Sequence, residues 1–580
     1  MFLATVKVVN KRFVVMVALS MSLLACSPQK SEQSNAENLS SENSTLYFGG
    51  DIITMHGDQA NYVEAVIETD GKVVYTGNKE NALQLLNKGF QQVDLQGKTM
   101  LPGFLDPHGH FMAAILMVNQ VNVAAPPVGT AQSIADIIKN LQIYQKERQI
   151  PEGGWIVGWG YDQDLISEKR HITKRDLDKA FPKRKVMLIH VSMHGAVLNS
   201  QALAWANIDE KTATPEGGVI ARFANNEPAG LVMESAYLPI FSKLPQPSDD
   251  EKIKLMGKAQ EMYTSQGYVQ AIEGFTHVAD LRFLQRAAKA GKNIIDIIAL
   301  PGFTEVDEWF DKPEFPFGRY HGKFKIHGCK ITLDGSPQGK TAFISTPYLT
   351  GGPDGEKNWR GESLLTQVEL DMLTAKMYKN NIPLQIHANG DAAIDMVIKT
   401  VQNAGIKASD DKRTVIIHSQ FQRPDHLPHY AKLGLSPSYF TQHAFFWGDV
   451  HVQNIGQQAA NFISPMKAAK EAGLIISNHS DFYVTPLDPF FIIWTAMARE
   501  SRSGNLIGAE QRVDAYTALQ ALTTGPAFQF FEETRKGKIK VGMLADFVII
   551  ENNPLKQNVA DIRDNAVVMT IKEGQVVYRQ

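Results

Sequence analysis

The sequence predicts an α/β protein: a (β/α)8 TIM-like barrel with a small β-sandwich domain split between the two chain ends and a large insertion after the first barrel strand. Three observations lead there. Short apolar runs of strand character alternate with stretches whose apolar residues recur at helical spacing, the pattern of strands joined by crossover helices. Such runs fall near 101–106, 267–274, 293–300, 324–334, 382–387, 413–418, 433–440 and 474–481, the number a closed barrel of this class needs. Polar residues of metal-binding type stand at the downstream tips of several runs, the end where such a barrel carries its active site.

The chain opens on an expected processing signal, residues 1–26. Lys7, Lys11 and Arg12 precede a nearly unbroken apolar run over 13–25, too short to span a bilayer. It ends Leu23-Leu24-Ala25-Cys26, which resembles a bacterial lipoprotein lipobox with Cys26 as the lipidated residue. Residues 27–44 are rich in Ser, Glu, Asn and Gln with only Ala36 and Leu39 apolar, so they read as a flexible tether. Ser27, rather than an inner-membrane-retaining Asp, points to an outer-membrane anchor facing the periplasm. With Cys26 lipidated, Cys329 has no partner and no internal disulfide is expected. Loss of three basic and no acidic residues with the signal takes the formal charge from −3 to −6. No basic block stands out, so nucleic-acid binding has no electrostatic support.

Residues 63–69 and 72–76 flank Asp70-Gly71 and read as a β-hairpin; 567–571 and 575–578 form another around Lys572-Glu573-Gly574. Small β-segments at both ends predict one composite domain from 45–98 and 537–580, enclosing a barrel domain over 99–536. The interval of about 111–266 is too long for a barrel loop and reads as an inserted subdomain. Helices are expected at 366–380, 391–404 and 514–523 from their apolar spacing.

The chemistry concentrates at the strand tips. In Asp106-Pro107-His108-Gly109-His110 the two imidazoles are two residues apart, and on an extended segment they face the same side. Converging neutral imidazoles are the start of a metal site. Further along come Lys330 and Asp334, His387 in His387-Ala388-Asn389-Gly390-Asp391, His418, and Asp481 in Asn478-His479-Ser480-Asp481. Each has an ordinary reading alone: a core histidine, a snorkelling lysine, a helix-capping aspartate. Together, at successive strand tips, they read as one metal centre.

These motifs resemble the amidohydrolase superfamily, and specifically its YtcJ-like, amidohydrolase-3 group. Pro102-Gly103-Phe104-Leu105-Asp106-Pro107-His108-Gly109-His110, Gly158-Trp159-Gly160-Tyr161-Asp162, His194 with Asn199-Ser200-Gln201-Ala202-Leu203, Lys330 with Asp334-Gly335-Ser336, and 537–546 carry the resemblance across roughly 45–580. It implies that His108, His110 and Asp481 bind one divalent metal and His387 and His418 a second. Lys330 would bridge them as a carbamate. Two zinc ions are expected, with manganese or iron compatible with the same ligands. The implied reaction is hydrolysis of an amide or N-acyl C–N bond by a metal-activated hydroxide, with Asp481 moving the proton. His194 and His443 are candidates to stabilise the oxyanion, and Trp159, Tyr161 and Asp162 to contact a small-molecule amide substrate.

One departure stands out. The group usually has a small residue two before the aspartate, where this chain has His479. By strand alternation it points with Asp481 into the site, as a substrate contact, a replacement ligand or a histidine bonded behind the ligands. It keeps open a single-metal deaminase or cyclic-amide hydrolase. A non-catalytic periplasmic binding or regulatory lipoprotein is the alternative from another class. Substrate identity and oligomeric state are not encoded in these motifs.

Overall fold

In the computed structural model the two chain ends meet in one sheet. The structure describes residues 43–580 apart from 88, 164, 192–194, 216–217, 246 and 353–355; the signal segment with Cys26 and nearly all of the tether lie outside the described residues. From edge to edge the sheet runs Gln575–Arg579, Val567–Lys572, Phe547–Ile550, Thr99–Pro102, Ser44–Ile53, Tyr62–Thr69 and Lys72–Gly77, with Gln91–Asp94 pairing beside Ser44–Ile53. Its hydrogen bonds form a single continuous sheet. Tyr47, Val73 and Met100 from the front arm share an apolar cluster with Phe547 and Ile571 from the rear arm, while Leu46, Ala65, Ile67, Ala82 and Leu86 form a smaller cluster within the front arm.

Both hairpins turn on residues with positive φ: Asp70 at 50° and Gly71 at 79°, Glu573 at 50° and Gly574 at 74°. Left-handed conformation at both central positions gives a turn whose twist matches that of the strands it joins.

The barrel strands are β1 (Phe104–Leu105), β2 (Tyr268–Thr276), β3 (Asp296–Pro301), β4 (Phe324–Ile326 continuing as Cys329–Thr332), β5 (Leu384–Ala388), β6 (Val415–His418), β7 (Ser436–Tyr439) and β8 (Ser477–Asn478). Neighbours pair in parallel in that order. Strand β4 is broken at His327-Gly328: its first half pairs with β3 and its second with β5. A bridge from Gly109 to Phe482 closes the ring. The expected strand at 101–106 is divided between two sheets. Thr99–Pro102 runs antiparallel to Phe547–Ile550, and only Phe104–Leu105 enters the barrel. A run that is apolar throughout carries no periodicity to say which sheet takes it.

The helices follow their sequence signals. Gln367–Lys379 starts on a capping box between Thr366 and Glu369, Asp391–Asn403 follows β5, and Ala515–Gln520 is capped by Asp514. Between β1 and β2 lies a second sheet, in the order Gly218–Arg222, Pro228–Glu234, Gly195–Leu198, Lys185–His190, Trp155–Tyr161 and Val121–Asn122. It has apolar clusters of its own. The flanking helices Phe111–Met117 and Asp249–Ser265 contribute instead to the barrel's cluster. No helix among the described residues is long and apolar enough to cross a membrane.

Candidate metal centre

At the C-terminal mouth of the barrel, β1, β4, β5, β6 and β8 each deliver a side chain to one buried cluster. His108 Nε2 and His110 Nε2 both lie 3.3 Å from Asp481 Oδ1. The ligand atoms of these three residues fall within 4.8 Å of one another. Beside them, His418 Nε2 faces His387 Nδ1 at 3.2 Å and lies 4.0 Å from Asp481 Oδ2. Lys330 Nζ reaches His108 Nε2 at 3.1 Å. The six residues separated by hundreds of positions in sequence are thus brought to one mouth.

Local backbone explains how. His418 and Asp481 end their strands at φ of 69° and 51°, a left-handed conformation uncommon for such residues, which swings the side chains from the strand line over the mouth. Strand β2 passes so close to His108 that a Cβ at Gly274 would collide with its ring and lie 2.9 Å from the Gly109 carbonyl, so glycine is required there. Asp334, at the end of β4, accepts backbone N–H groups from Asn389 at 2.9 Å, Gly390 at 2.8 Å and Phe343 at 3.0 Å, pinning the loop after His387.

The electrostatics favour donors over acids. Burial keeps the His108 and His418 imidazoles neutral far below their ordinary range, and pushes His387 and His479 down to about 3. Burial, opposed by Asp481 and Glu273, lowers the Lys330 amine to about 7. Burial would raise the Asp481 carboxyl, but His110, 3.3 Å away, holds it well below the carboxylate range. Burial lowers His110 too, yet the Asp481 and Glu273 carboxylates on either side lift it to about 9.

The donor set fits divalent cations. Asp481 Oδ1 is buried with no hydrogen bond, and the nitrogens nearest to it are imidazole lone pairs unless protonated. In the metal-free protein the proton on His110 balances the Asp481 carboxylate beside the neutral imidazoles of His108, His387 and His418, and a divalent cation can take that proton's place. His108, His110 and Asp481 would hold one ion. His387 through Nδ1 and His418 through Nε2 would hold another, with Lys330 between.

Other expected residues divide. Trp159 and Asp162 line a cavity of about 630 Å³ between the inserted sheet and the barrel mouth, with Phe446, Trp447, Tyr483 and Arg502. Tyr483 links it to the centre, its ring 5.9 Å from that of His110. Tyr161 does not reach this cavity: it is fully buried, its hydroxyl 3.1 Å from His171 Nδ1, so the expected substrate contact is corrected to a packing residue. Alternation explains the difference, since positions 159 and 161 are separated by Gly160 at φ 86°, which breaks the strand's regular pleat. His479 is likewise no substrate contact; it is buried and bonded to His418 Nδ1 at 3.0 Å, behind the ligands. His443 sits on helix Gln442–Ile455, buried, with Nδ1 3.0 Å from His451 Nε2 and its ring 4.6 Å from Phe440. His194 lies outside the described residues. Cys329 is buried in the apolar cluster outside the mouth, its thiol pushed up to about 12 by burial.

Glu273 at the tip of β2 was not singled out by sequence reasoning. It accepts the Met112 N–H at 2.5 Å and lies 3.9 Å from His110 Nδ1, opposite the face turned to Asp481. A lone carboxylate inside the apolar strand run 268–276 is the signal that marks it.

Comparison with known proteins agrees with this geometry. The sequence model of the amidohydrolase family matches residues 91–578. The protein YtcJ of Bacillus subtilis (strain 168) is 27% identical over 550 residues, covering 92% of this chain and 99% of that protein. An N-substituted formamide deformylase of Arthrobacter pascens is 25% identical over 532 residues, covering 89% and 95%. Among solved structures, an uncharacterized metal-dependent hydrolase from Pyrococcus furiosus shares the fold with a TM-score of 0.70 at 22% identity, over 88% of this chain and 100% of that one.

Proposed function

This chain belongs to the amidohydrolase family, and on that premise we propose that it is a metal-dependent hydrolase breaking the C–N bond of an amide or N-acyl substrate. The observation that carries the reading is the gathering of His108, His110 and Asp481 with His387, His418 and Lys330 at one barrel mouth. When bound there, divalent cations supply hydroxide at neutral pH and polarise the scissile carbonyl. Asp481 takes up a proton at its carboxylate and delivers it to the leaving nitrogen. The outer Nδ1 of His110 lies 3.9 Å from Glu273, and the outer Nε2 of His387 lies 2.9 Å from the Asn389 amide nitrogen and 3.5 Å from the Gly335 carbonyl, so the other nitrogen of each ring faces the centre. The buried amine of Lys330 is the form that takes up carbon dioxide to give the bridging carbamate.

The cavity argues for the substituent on the substrate. Trp159, Phe446, Trp447 and Tyr483 make much of its wall aromatic, with Asp162 and Arg502 as charged groups, which suits an amide bearing an apolar or aromatic group. An N-acyl substrate is in keeping with the formamide deformylase among the relatives. From the sequence alone we place the enzyme in the bacterial envelope, lipid-anchored through Cys26 and facing the periplasm.

The test is a screen of N-acyl and N-formyl amines against zinc-loaded protein, with His108→Ala and Asp481→Ala beside the wild type. Both variants should fold and lose turnover by about 10³-fold or more; full turnover in either overturns the assignment. Lys330→Ala should be inactive and partly rescued by short carboxylic acids. A single-ion reading, as in a deaminase or cyclic-amide hydrolase, has one observation in its favour: among the described residues only His108, His110 and Asp481 form a complete close-set group. Elemental analysis of metal per chain decides between one ion and two.

A further inference from the structure

His418 has two ring nitrogens, and only the one bearing a lone pair binds a metal. Its Nε2 faces His387 Nδ1, while its Nδ1 lies 3.0 Å from His479 Nε2. His479 Nδ1 is 2.9 Å from Ser438 Oγ, Ser438 Oγ is 2.8 Å from Ser477 Oγ, and Ser477 Oγ is 2.7 Å from Gln529 Oε1. The far end of this row is fixed by the backbone. Gln529 Nε2 meets the Pro437 carbonyl at 3.1 Å and Ser436 Oγ at 2.8 Å, and Ser436 itself donates to the Ile475 carbonyl at 2.6 Å.

Proton counting then runs one way. A carbonyl only accepts, so the Gln529 amide nitrogen must face Pro437 and its oxygen must face Ser477. Ser477 Oγ has one proton and two acceptors within reach, Ser438 Oγ and the Gln529 oxygen; the amide oxygen has no proton to offer in return, so the proton goes to it, and Ser438 then donates to Ser477. Ser438, having donated, accepts the Nδ1–H of His479. That leaves His479 Nε2 with a lone pair, which accepts the Nδ1–H of His418. The Nε2 of His418 is then a bare lone pair facing the mouth.

We propose that His479 is a positioning residue: a buried relay from the Pro437 carbonyl through Gln529, Ser477, Ser438 and His479 locks His418 in the one tautomer that presents a metal-binding lone pair to the centre. The inference rests on the metal-centre reading above. It also assigns a role to the histidine that replaces the small residue usual at this position: His479 neither binds the ion nor touches substrate. Every side chain of the relay is buried, so water does not compete for its hydrogen bonds.

The test compares His479→Leu, which removes the acceptor, with His479→Gln, whose amide oxygen restores one near the place of Nε2. Two readouts are taken. Titration of chelator-stripped protein with zinc should show the ion bound by His418 and His387 weakened about 10- to 100-fold in His479→Leu and within a few-fold of wild type in His479→Gln. Nitrogen-15 spectra of histidine-labelled, metal-free protein, assigned with His418→Asn, should show His418 protonated on Nδ1 in wild type and His479→Gln, and a tautomer mixture in His479→Leu. Equal zinc affinity and an unchanged tautomer in His479→Leu overturn the relay. So does a wild-type His418 protonated on Nε2. Wild-type protein that takes up no zinc yet keeps the Nδ1 proton sinks the metal reading and leaves the relay standing.

Discussion

The two mouths of the barrel bury polar groups in opposite ways. At the N-terminal mouth, Lys536 and Lys572 both reach the Asp296 carboxylate, Lys572 at 3.1 Å, and Lys572 also meets Asp546 at 3.0 Å. Lys325 pairs with Glu532, which takes Arg535 at 2.7 Å as well. Positive and negative charges alternate, and the fold supplies each with its partner. At the C-terminal mouth, imidazoles and a carboxylate are collected around one point, with the Lys330 amine as a donor 3.1 Å from His108 Nε2. The first cluster balances its charges within the protein, although Asp296 Oδ1 takes no hydrogen bond, and it ties the C-terminal arm to the barrel. The second is completed from outside, which makes it a site. Burial alone does not tell the two apart; the match of donors to acceptors does.

The largest expected effect comes from breaking the first cluster. Burial pushes the Asp296 carboxyl up, but Lys536 and Lys572 hold it well below the carboxylate range, so its contribution is present at neutral pH and is lost only in strong acid. Asp296→Ala takes the shared carboxylate from two buried ammonium groups, of which Lys572 keeps Asp546, and should cost about 3 kcal/mol. Chemical denaturation should show that loss while zinc bound per folded chain stays at the wild-type value. Asp481→Ala should do the reverse, losing zinc with a smaller loss of metal-free stability than Asp296→Ala, since His110 keeps Glu273 nearby and can release its proton. If both variants lose stability alike, the contrast between the mouths fails.

A smaller effect is the pH dependence of zinc binding. In the metal-free protein His110 keeps its proton below about 9, and a cation at its Nε2 must displace that proton. Affinity should therefore weaken by up to about tenfold for each pH unit lowered from there through neutrality. Zinc titrations at several pH values that give a flat profile would show that His110 is not a ligand. The smallest effect belongs to the cavity: Trp447→Ala should raise KM for an aromatic amide by about tenfold or less and leave kcat for a small amide unchanged, as steady-state kinetics would show.

Much of the molecule is legible where the governing interaction is local. Asp70-Gly71 specifies its turn because both residues accept positive φ, and Thr366 with Glu369 starts a helix because each caps the other's backbone. The convergence of His108, His110, Lys330, His387, His418 and Asp481 is legible as well, since they stand at or just past strand ends and the barrel brings those ends together. Local pattern misleads where one glycine redirects the chain, as at Gly160, which leaves Trp159 on the cavity and Tyr161 in the core.

The sequence by itself determined the barrel, the split terminal domain and the order of residues around the candidate centre, because strand and helix periodicity and turn chemistry act over a few residues. Only the tertiary structure decided that Asp296 pairs with lysines 240 and 276 positions away, that Glu273 lies beside His110, and that His479 meets His418. These outcomes depend on which nitrogen or oxygen meets which across separate strands. That is settled by packing distances and by the count of protons available, neither of which a linear pattern records.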